Sequence, residues 1–377
     1  MSFEIRINGS PFTLWKSASV QRSIDSNAGA FRFTNSSSAP IANYPVKAGD
    51  FVEILVNNKR KIAGFIDEIS GSQDDTSHNL DVSGRDNTAD LIDSNVPDDS
   101  KVIEGPISLK GLAEKIIKSL GLSIAVTSSV TGLEDFTDSD LQSASSGETC
   151  MAFLVKFARK QQVYLIPDGN GNLLIFRPDK SNKAQTPLIH RQGERNNNVL
   201  TYSFKQSQQD RFRTYKCRSQ DNIGFDTEAE YDQDGASRKG EATDTQMRKT
   251  RYCEFVAEET MKSKTCEQRA AEESNIRRAL GIEYVVSVAG VAQGNGTLWD
   301  IGQYVTVQDE YAGIKGLFLI KSVEYAIDVN GGTRTQLTCV PPDAYQVVQV
   351  PSAEHKRSAK TGADYQNETP KEQGSIR

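Results

Sequence analysis

Polar and apolar residues alternate from the beginning of the chain. Phe3, Ile5 and Ile7 are interleaved with polar neighbours and followed by Asn8-Gly9, a pattern that predicts a strand ending in a tight turn. FRFT (31–34), DFVEILV (50–56), IAGFIDEIS (62–70) and NLDVSG (79–84) keep the period of two, with polar breaks between them. SQDDTSHN (72–79) reads as a polar loop at a hairpin tip. Near residue 106 the period lengthens. SLKGLAEKIIKSLG (108–121) puts Leu109, Leu112, Ile116, Ile117 and Leu120 on one helical stripe, with Ser108 as N-cap and Gly121 as stop. SGETCMAFLVKFARKQQ (146–162) predicts a second helix carrying Met151, Leu154, Val155 and Ala158. VYLIPDGNGNLLIFRP (163–178) then predicts two short strands around an Asp-Gly-Asn-Gly turn. No helix follows those glycines, so they do not form a phosphate cradle.

Strands return in VLTYSFKQS (199–207) and RFRTYKCRS (211–219). Residues 220–250 are polar and charge-rich, including DQDGASRKGEATD (232–244). MKSKTCEQRAAEESNIRRALG (261–281) is the longest helical candidate and is closed by Gly281. Its apolar content, Cys266, Ala270, Ile276 and Leu280, suits a short packing stripe and not a coiled coil. Strands run again from Tyr284 to about Cys339, and the segment 346–377 is polar enough to predict a disordered tail or one ordered by a partner.

The two β-rich ends resemble each other. Gly49 and Gly302 are each followed by a polar residue, an aromatic (Phe51, Tyr304), a Val (Val52, Val305) and an apolar residue at the next alternate position (Ile54, Val307). A charged turn follows, and a Phe stands sixteen residues after each Gly, at Phe65 and Phe318. A polar loop then leads to a third alternating strand, HNLDVSG in one copy and TRTQLTC in the other. The shared offsets predict a duplicated β-module, each copy a small barrel or strongly bent sheet.

Composition adds mostly exclusions. With 37% hydrophobic and 25% charged residues, the chain of 377 residues has an ordinary soluble composition and room for several domains. A net charge of −6 asks for neither nucleic acid nor an anionic membrane as partner. No apolar run approaches the roughly 18 residues of a membrane span, and MSFEIRINGSPFTLW lacks a signal-peptide core, which predicts folding in a cytoplasm. Cys150, Cys217, Cys253, Cys266 and Cys339 form no C-x-x-C pair, and His78, His190 and His355 lie far apart, so they are read as free thiols and isolated histidines, not as metal ligands.

VSGRDNTADLID (82–93) holds the densest candidate chemistry: Arg85, Asp86, Asp90 and Asp93. A catalytic reading makes one carboxylate an acid, a base or a metal ligand and Arg85 an anion clamp. The structural reading ends a strand at Leu80 and Val82, turns at Gly84, and lets Asp86 or Asn87 cap a short helix carrying Ala89, Leu91 and Ile92. Arg85 then pairs with a nearby carboxylate or with a neighbouring subunit. The structural reading is preferred. Asp67 and Glu68 raise a glycosidase hypothesis, but adjacent strand residues face opposite sides and cannot share one cleft. No G-x-S-x-G, H-E-x-x-H or Walker pattern occurs. His190 beside Arg191 reads as an isolated surface residue, Trp299 as a core or interface anchor, and TQMRKTRY (245–252) as a solvated face or protein contact.

IAGFIDEIS with VSGRDNTADLID, and QRSIDSNAGAFRFT (21–34), resemble the N-terminal module of the Mu-type baseplate hub family of contractile-tailed bacteriophages. GTLWDIGQYVTVQDEYAGIKGLFLIKSVEYAIDVNGGTRTQLTCVPPDAY (296–345) resembles the C-terminal module of that family. The resemblance spans most of 1–345 and is weakest at 220–280. It implies a homotrimeric hub in which two similar barrels per chain give a ring of six, joining the tail tube or a tube adaptor to a central spike among other baseplate proteins.

The resulting expectation is an α+β, β-dominated multidomain chain. Residues 1–97 form one antiparallel β-barrel module, 98–182 an α/β module, and 183–219 with 282–345 a second, related barrel. Residues 220–281 form a charged insertion with a long helix, and 346–377 the tail, which trimer formation does not need. No catalytic, cofactor-binding or metal-binding residue is assigned, and no cofactor, membrane insertion or specific nucleic acid is expected. The protein is expected in the virion tail baseplate, and in the host cytoplasm during assembly. The alternatives are a hub module of a bacterial contractile injection system and a tail-associated peptidoglycan hydrolase.

Overall fold

Two Asn-containing dipeptides set the first hairpins. Asn8-Gly9 (φ 50° and 80°) and Asn57-Asn58 (φ 48° and 60°) adopt the left-handed backbone that matches strand twist in two-residue turns. They join β1 (Phe3–Ile7) to β2 (Ser10–Phe12), and β5 (Phe51–Val56) to β6 (Lys59–Gln73). Between the hairpins run β3 (Ser17–Ser23) and β4 (Ala30–Asn35), and β7 (His78–Asp86) follows. These are seen in a computed structural model that describes residues 2–35, 44–73, 78–138, 141–193, 195–220, 237–257, 263–342 and 344–345. The expected loop at 74–77, most of the charged stretch after 220 and the tail from 346 lie outside the described residues.

The first module is antiparallel throughout, in the order β3-β4-β7-β6-β5-β1-β2. Period-two alternation turns Ile5, Val20, Phe31, Phe33, Val52, Ile54, Ile62 and Val82 into one core. A helical module follows. Short helix α1 (Ala89–Asp93) leads to α2 (Leu109–Ser119), β8 (Val126–Ser128), α3 (Cys150–Lys160) and the hairpin of β9 (Tyr164–Pro167) and β10 (Leu173–Phe176). Ser108 caps α2 by accepting from Gly111 N–H at 3.0 Å, and Gly121 (φ 71°) ends it, with Leu122 N–H returning to the Ile117 carbonyl at 3.1 Å. The predicted stripe Leu109, Leu112, Ile116 and Ile117 is buried against Phe153, Leu154, Phe157, Leu173 and Ile175. Leu91 and Val96 belong to this same core, so the residues just before 98 go with the helical module and not with the first β-module.

The second β-rich region contains β11 (Leu188–His190), β12 (Val199–Gln206), β16 (Ile282–Ala289), β17 (Tyr304–Asp309), β18 (Ile314–Asp328) and β19 (Gly332–Val340). β13 (Thr214–Gln220) was expected here but pairs with β14 (Ser237–Thr243) and β15 (Tyr252–Val256) in a separate three-stranded sheet. Helix α4 (Ser263–Gly281) packs on that sheet through Cys266 and Ala270, against Tyr215 and Cys217, and continues directly into β16. Gly240 permits the close approach, since a Cβ there would lie 2.1 Å from the Glu267 nitrogen.

The duplication is explicit in the strands. β5, β6 and β7 have 6, 15 and 9 residues, and β17, β18 and β19 have 6, 15 and 9. Each long strand carries a bulge in its ladder with the third strand, at Asp67 in one copy and Lys321 in the other. Gly49 and Gly302 (φ 90° and 77°) donate to the Ile66 and Ile320 carbonyls at 2.8 and 2.9 Å. The Phe65–Phe318 match is displaced by one residue: Phe65 stands opposite Phe51, whereas Leu319, not Phe318, stands opposite Tyr304. The loops explain it, because β5–β6 closes with two residues plus a bulge and β17–β18 with four residues and none.

The two related β-modules expected from the sequence are joined to each other. Among the described residues neither copy closes on itself; the two form one continuous thirteen-stranded sheet, in which β3 of the first pairs with β18 of the second. The bulge glycines are tightly constrained. A Cβ on Gly84 would meet the Phe65 carbonyl at 2.1 Å and the Phe31 ring at 2.6 Å. Gly84→Ala is therefore expected to cost about 3 kcal/mol, read as a drop of several degrees in the thermal unfolding midpoint; an unchanged midpoint would contradict the packing at this crossing.

Candidate assembly interface

The two copies are held together by a strand pair and a buried charge cluster. β3 and β18 pair antiparallel from Ser23–Ser322 to Ser17–Asp328. Arg22 follows Ala18 and Val20 on the inward phase of β3, where its guanidinium donates to Asp300 at 3.1 Å and to the Pro167 carbonyl at 2.7 Å. Lys61, beside Ile62 on β6, donates to the other Asp300 oxygen at 2.6 Å. Both cations are only 6% exposed. Asp300 thus ties the second module to the first, and Arg22 ties both to the β9–β10 turn. Burial alone would raise the Asp300 carboxyl, but Arg22 and Lys61 outweigh it and hold it below the ordinary range. Burial lowers the Lys61 ammonium, with Asp300 acting against the shift. Gly169 and Gly171 (φ 87° and 85°) let the turn settle against Lys61 and Ala63.

This joint escaped sequence reasoning. Its one signal was Arg22, a charged residue in phase with core positions. Beside the joint, Ser17, Ser19, Arg32, Ala326, Asp328 and Arg334 line an open cavity of about 520 Å³. Arg32 there is paired with Asp81 at 2.9 Å.

VSGRDNTADLID is consumed by structure. Arg85 forks between Asp67 (2.7 Å) and Asp93 (2.6 Å), both exposed at the surface. Asp86 is 1% exposed and accepts from Gly29 N–H at 2.8 Å, Thr88 N–H at 3.1 Å and the Thr88 hydroxyl. The expected helix cap is corrected: Thr88 is the N-cap residue of α1, makes no side-chain cap bond, and Asp86 instead braces the turn before it. Asp90 is half-buried, and burial raises its carboxyl. Alternation does not separate Asp67 from Glu68, because Asp67 is the bulge residue; both are exposed. His190 is not isolated. Its Nδ1 lies 3.2 Å from buried Asp309, which also accepts from the Tyr284 hydroxyl, and its ring lies between Tyr202 and Tyr311. Trp299 is a core residue whose carbonyl accepts from the Tyr325 hydroxyl. In TQMRKTRY, Met247 is buried, Arg251 lies 4.9 Å over the Phe212 ring, and Arg248 and Lys249 are exposed. The five cysteines are free, and among the described residues no group of three acidic, His or Cys side chains is placed to hold a metal. No helix among them is long and apolar enough to cross a membrane.

Fold and joint together define two copies of one β-module fused edge to edge around a helical module. Residues 2–86 match the family model of the Mu phage baseplate assembly protein GpP-like N-terminal domain, and 88–177 match that of the baseplate hub protein gp44-like second domain. The junction between the matches falls where Asp86 ends β7. The chain is 26% identical over 371 residues to the baseplate hub protein gp44 of Escherichia phage Mu, covering 96% of this chain and 92% of that one. Among solved structures, the 43 kDa tail protein of prophage MuSo2 from Shewanella oneidensis superposes with a TM-score of 0.77 at 26% identity, over 92% of this chain and 100% of the other. A tail protein from Neisseria meningitidis MC58 shares the fold, with a TM-score of 0.77 at 19% identity over 91% and 97% of the two chains. The chain is thus similar over nearly its whole length to a baseplate hub protein and a tail protein of Mu-like phages.

Asp86 and Asp300 are expected to respond to pH with opposite sign. Burial pushes Asp86 up to about 6, above its unfolded value, so its protonated form favours the fold and stability falls as pH rises from about 4 to 6. The term is on the order of 3 kcal/mol, and Asp86→Asn should flatten that segment of a stability-against-pH curve. Asp300 is held low, so its contribution is present above the unfolded carboxylate value and is lost as pH falls through the folded one. Asp300→Ala leaves Arg22 and Lys61 buried without their counter-ion. It should cost roughly 3 kcal/mol at neutral pH, and Asp300→Ala with Lys61→Met should recover part of that; equal losses in the single and double variants would argue against the charge coupling.

Proposed function

We infer that the chain is the structural baseplate hub of a contractile-tailed phage. It assembles as a homotrimer whose six related β-modules form a ring between the tail tube and a central spike. The observation that carries this is the internal repeat of 6-, 15- and 9-residue strands with a bulge at the same place, fused edge to edge through β3 and β18. A chain with two equivalent modules, taken three times, presents six units to a sixfold tube and keeps a threefold axis for a spike. Similarity to Mu gp44 over nearly the whole chain supports the hub role, and the phage and prophage origin of the 26%-identical relatives favours a phage hub over an injection-system module.

The units of this hub are read as 2–86, 88–177, a second β-module from 183–207 with 282–345, and an inserted α+β unit between those two segments. No reaction is assigned to it: of the carboxylates singled out by sequence, Asp67 and Asp93 are bound to Arg85 and Asp86 is buried under Gly29 and Thr88. Its place is the virion tail, reached by assembly in the host cytoplasm. Light scattering coupled to size exclusion should give three times the 41.5 kDa of one chain, and a chain ending at Tyr345 should give a trimer as well. A monomer over the accessible concentration range would contradict the ring.

A further inference from the structure

The unit inserted between β12 and β16 has the smallest of the hydrophobic cores among the described residues. Five buried residues form it: Tyr215, Cys217, Ala257, Cys266 and Ala270. A core of that size holds an element weakly, and small units of this kind commonly carry a covalent or metal staple. Two of the five are cysteines, one on the sheet and one on the helix.

The local geometry brings these two thiols together. Cys217 on β13 stands opposite Gly240 on β14, so both positions look out on the same face of the sheet. α4 lies against that face: a Cβ on Gly240 would fall 2.3 Å from the Cys266 carbonyl carbon. The missing side chain of Gly240 leaves the room in which Cys266 reaches Cys217, and the two thiols share a hydrogen bond. Both residues are 0% exposed. That hydrogen bond, and burial after it, push the Cys217 thiol up, with Arg269 acting the other way. The Cys217 thiol therefore stays protonated and unreactive while α4 is seated. Cys150 and Cys339 are buried in two other cores, and Cys253 is half-buried on β15 opposite Tyr215.

We propose that Cys217 and Cys266 are a dithiol that oxidises to a disulfide and staples α4 to the sheet of β13, β14 and β15. The oxidant is a low-molecular-weight disulfide such as glutathione disulfide. When α4 lifts, one thiol loses its proton and attacks the glutathione disulfide, giving a mixed disulfide and a glutathione thiolate. As α4 reseats, the second thiol is deprotonated in turn and displaces the remaining glutathione. One Sγ–Sγ bond forms, one glutathione S–S bond breaks, and the two glutathione thiols carry off both electrons and both protons. Cys266 stands near the start of α4, roughly 22 Å along the helix from Gly281, where the chain enters β16. The staple thus secures the end of the helix away from its covalent tie to β16. On the hub reading, the cytoplasm keeps the pair reduced during assembly and the medium outside the cell oxidises it; the chemistry itself does not need that reading.

The test uses the full chain, purified in reducing buffer and then incubated with glutathione disulfide. Thiols titrated in denaturant should fall from five to three. A digest without reductant should yield one peptide pair joined through Cys217 and Cys266 and split by dithiothreitol. Hydrogen exchange of the α4 amides should slow about tenfold or more in the oxidised chain, and Cys253→Ser should alter neither result. Five titratable thiols after oxidation, a link through Cys253, or glutathione left on Cys217 or Cys266 with no link between them overturns the pairing. A link that leaves α4 exchange unchanged overturns the staple. None of these readouts depends on the mass of the assembly, so the hub reading stands or falls separately.

Discussion

The pairing of β3 with β18, sealed by Asp300 between Arg22 and Lys61, is the constraint on which the architecture depends. Seven residues of each strand exchange backbone bonds across two modules far apart in sequence. A strand pair alone would let the modules twist about their shared edge, as sheets do. Two buried cations on one anion, one of them also held by the Pro167 carbonyl, fix that twist at a point where all three modules meet. Buried ion pairs contribute little net stability when their desolvation is counted. What the cluster supplies is geometry, because a displaced Asp300 would leave two desolvated cations uncompensated.

The same constraint explains which parts of the fold were legible in the sequence. Period-two alternation located most strands of both copies, and the Gly-polar-aromatic-Val signature located the repeat, because each depends on local spacing. Ser108 and Gly121 marked α2 correctly for the same reason. Closure was not legible. Whether β3 returns to its own module or crosses to another depends on an edge more than 290 residues away in the chain. β13 was misassigned because an alternating strand carries no mark of the sheet it joins, and its partners flank a stretch with no hydrophobic signal. Asp67 was misjudged because a bulge suspends the alternation on which the argument relied.

Charge density proved a poor guide to chemistry. VSGRDNTADLID carries four charges, and Arg85, Asp86 and Asp93 each have a local task at the exit of β7. Asp86 collects donors from a loop and a turn, and Arg85 clamps the bulge residue to the end of α1. The equivalent bulge in the second copy inverts the charges. Lys321 there pairs with Glu283 at 2.6 Å and Asp25 at 3.2 Å. A bulge residue pushes its side chain out of the ladder and needs a partner at the surface; either sign will do. The shared requirement is the bulge, not a reactive group.

Bulge and edge are connected. Bending β18 at Lys321 lets its first half pair with β17 and its second half with β3. A straight strand of fifteen residues would keep one neighbour along its whole length and would leave no half-edge to share. In the second copy that half-edge takes β3, so one chain closes the joint between its own modules. The bend that lets a long strand share its edge is therefore what allows two copies of one module to become a single sheet.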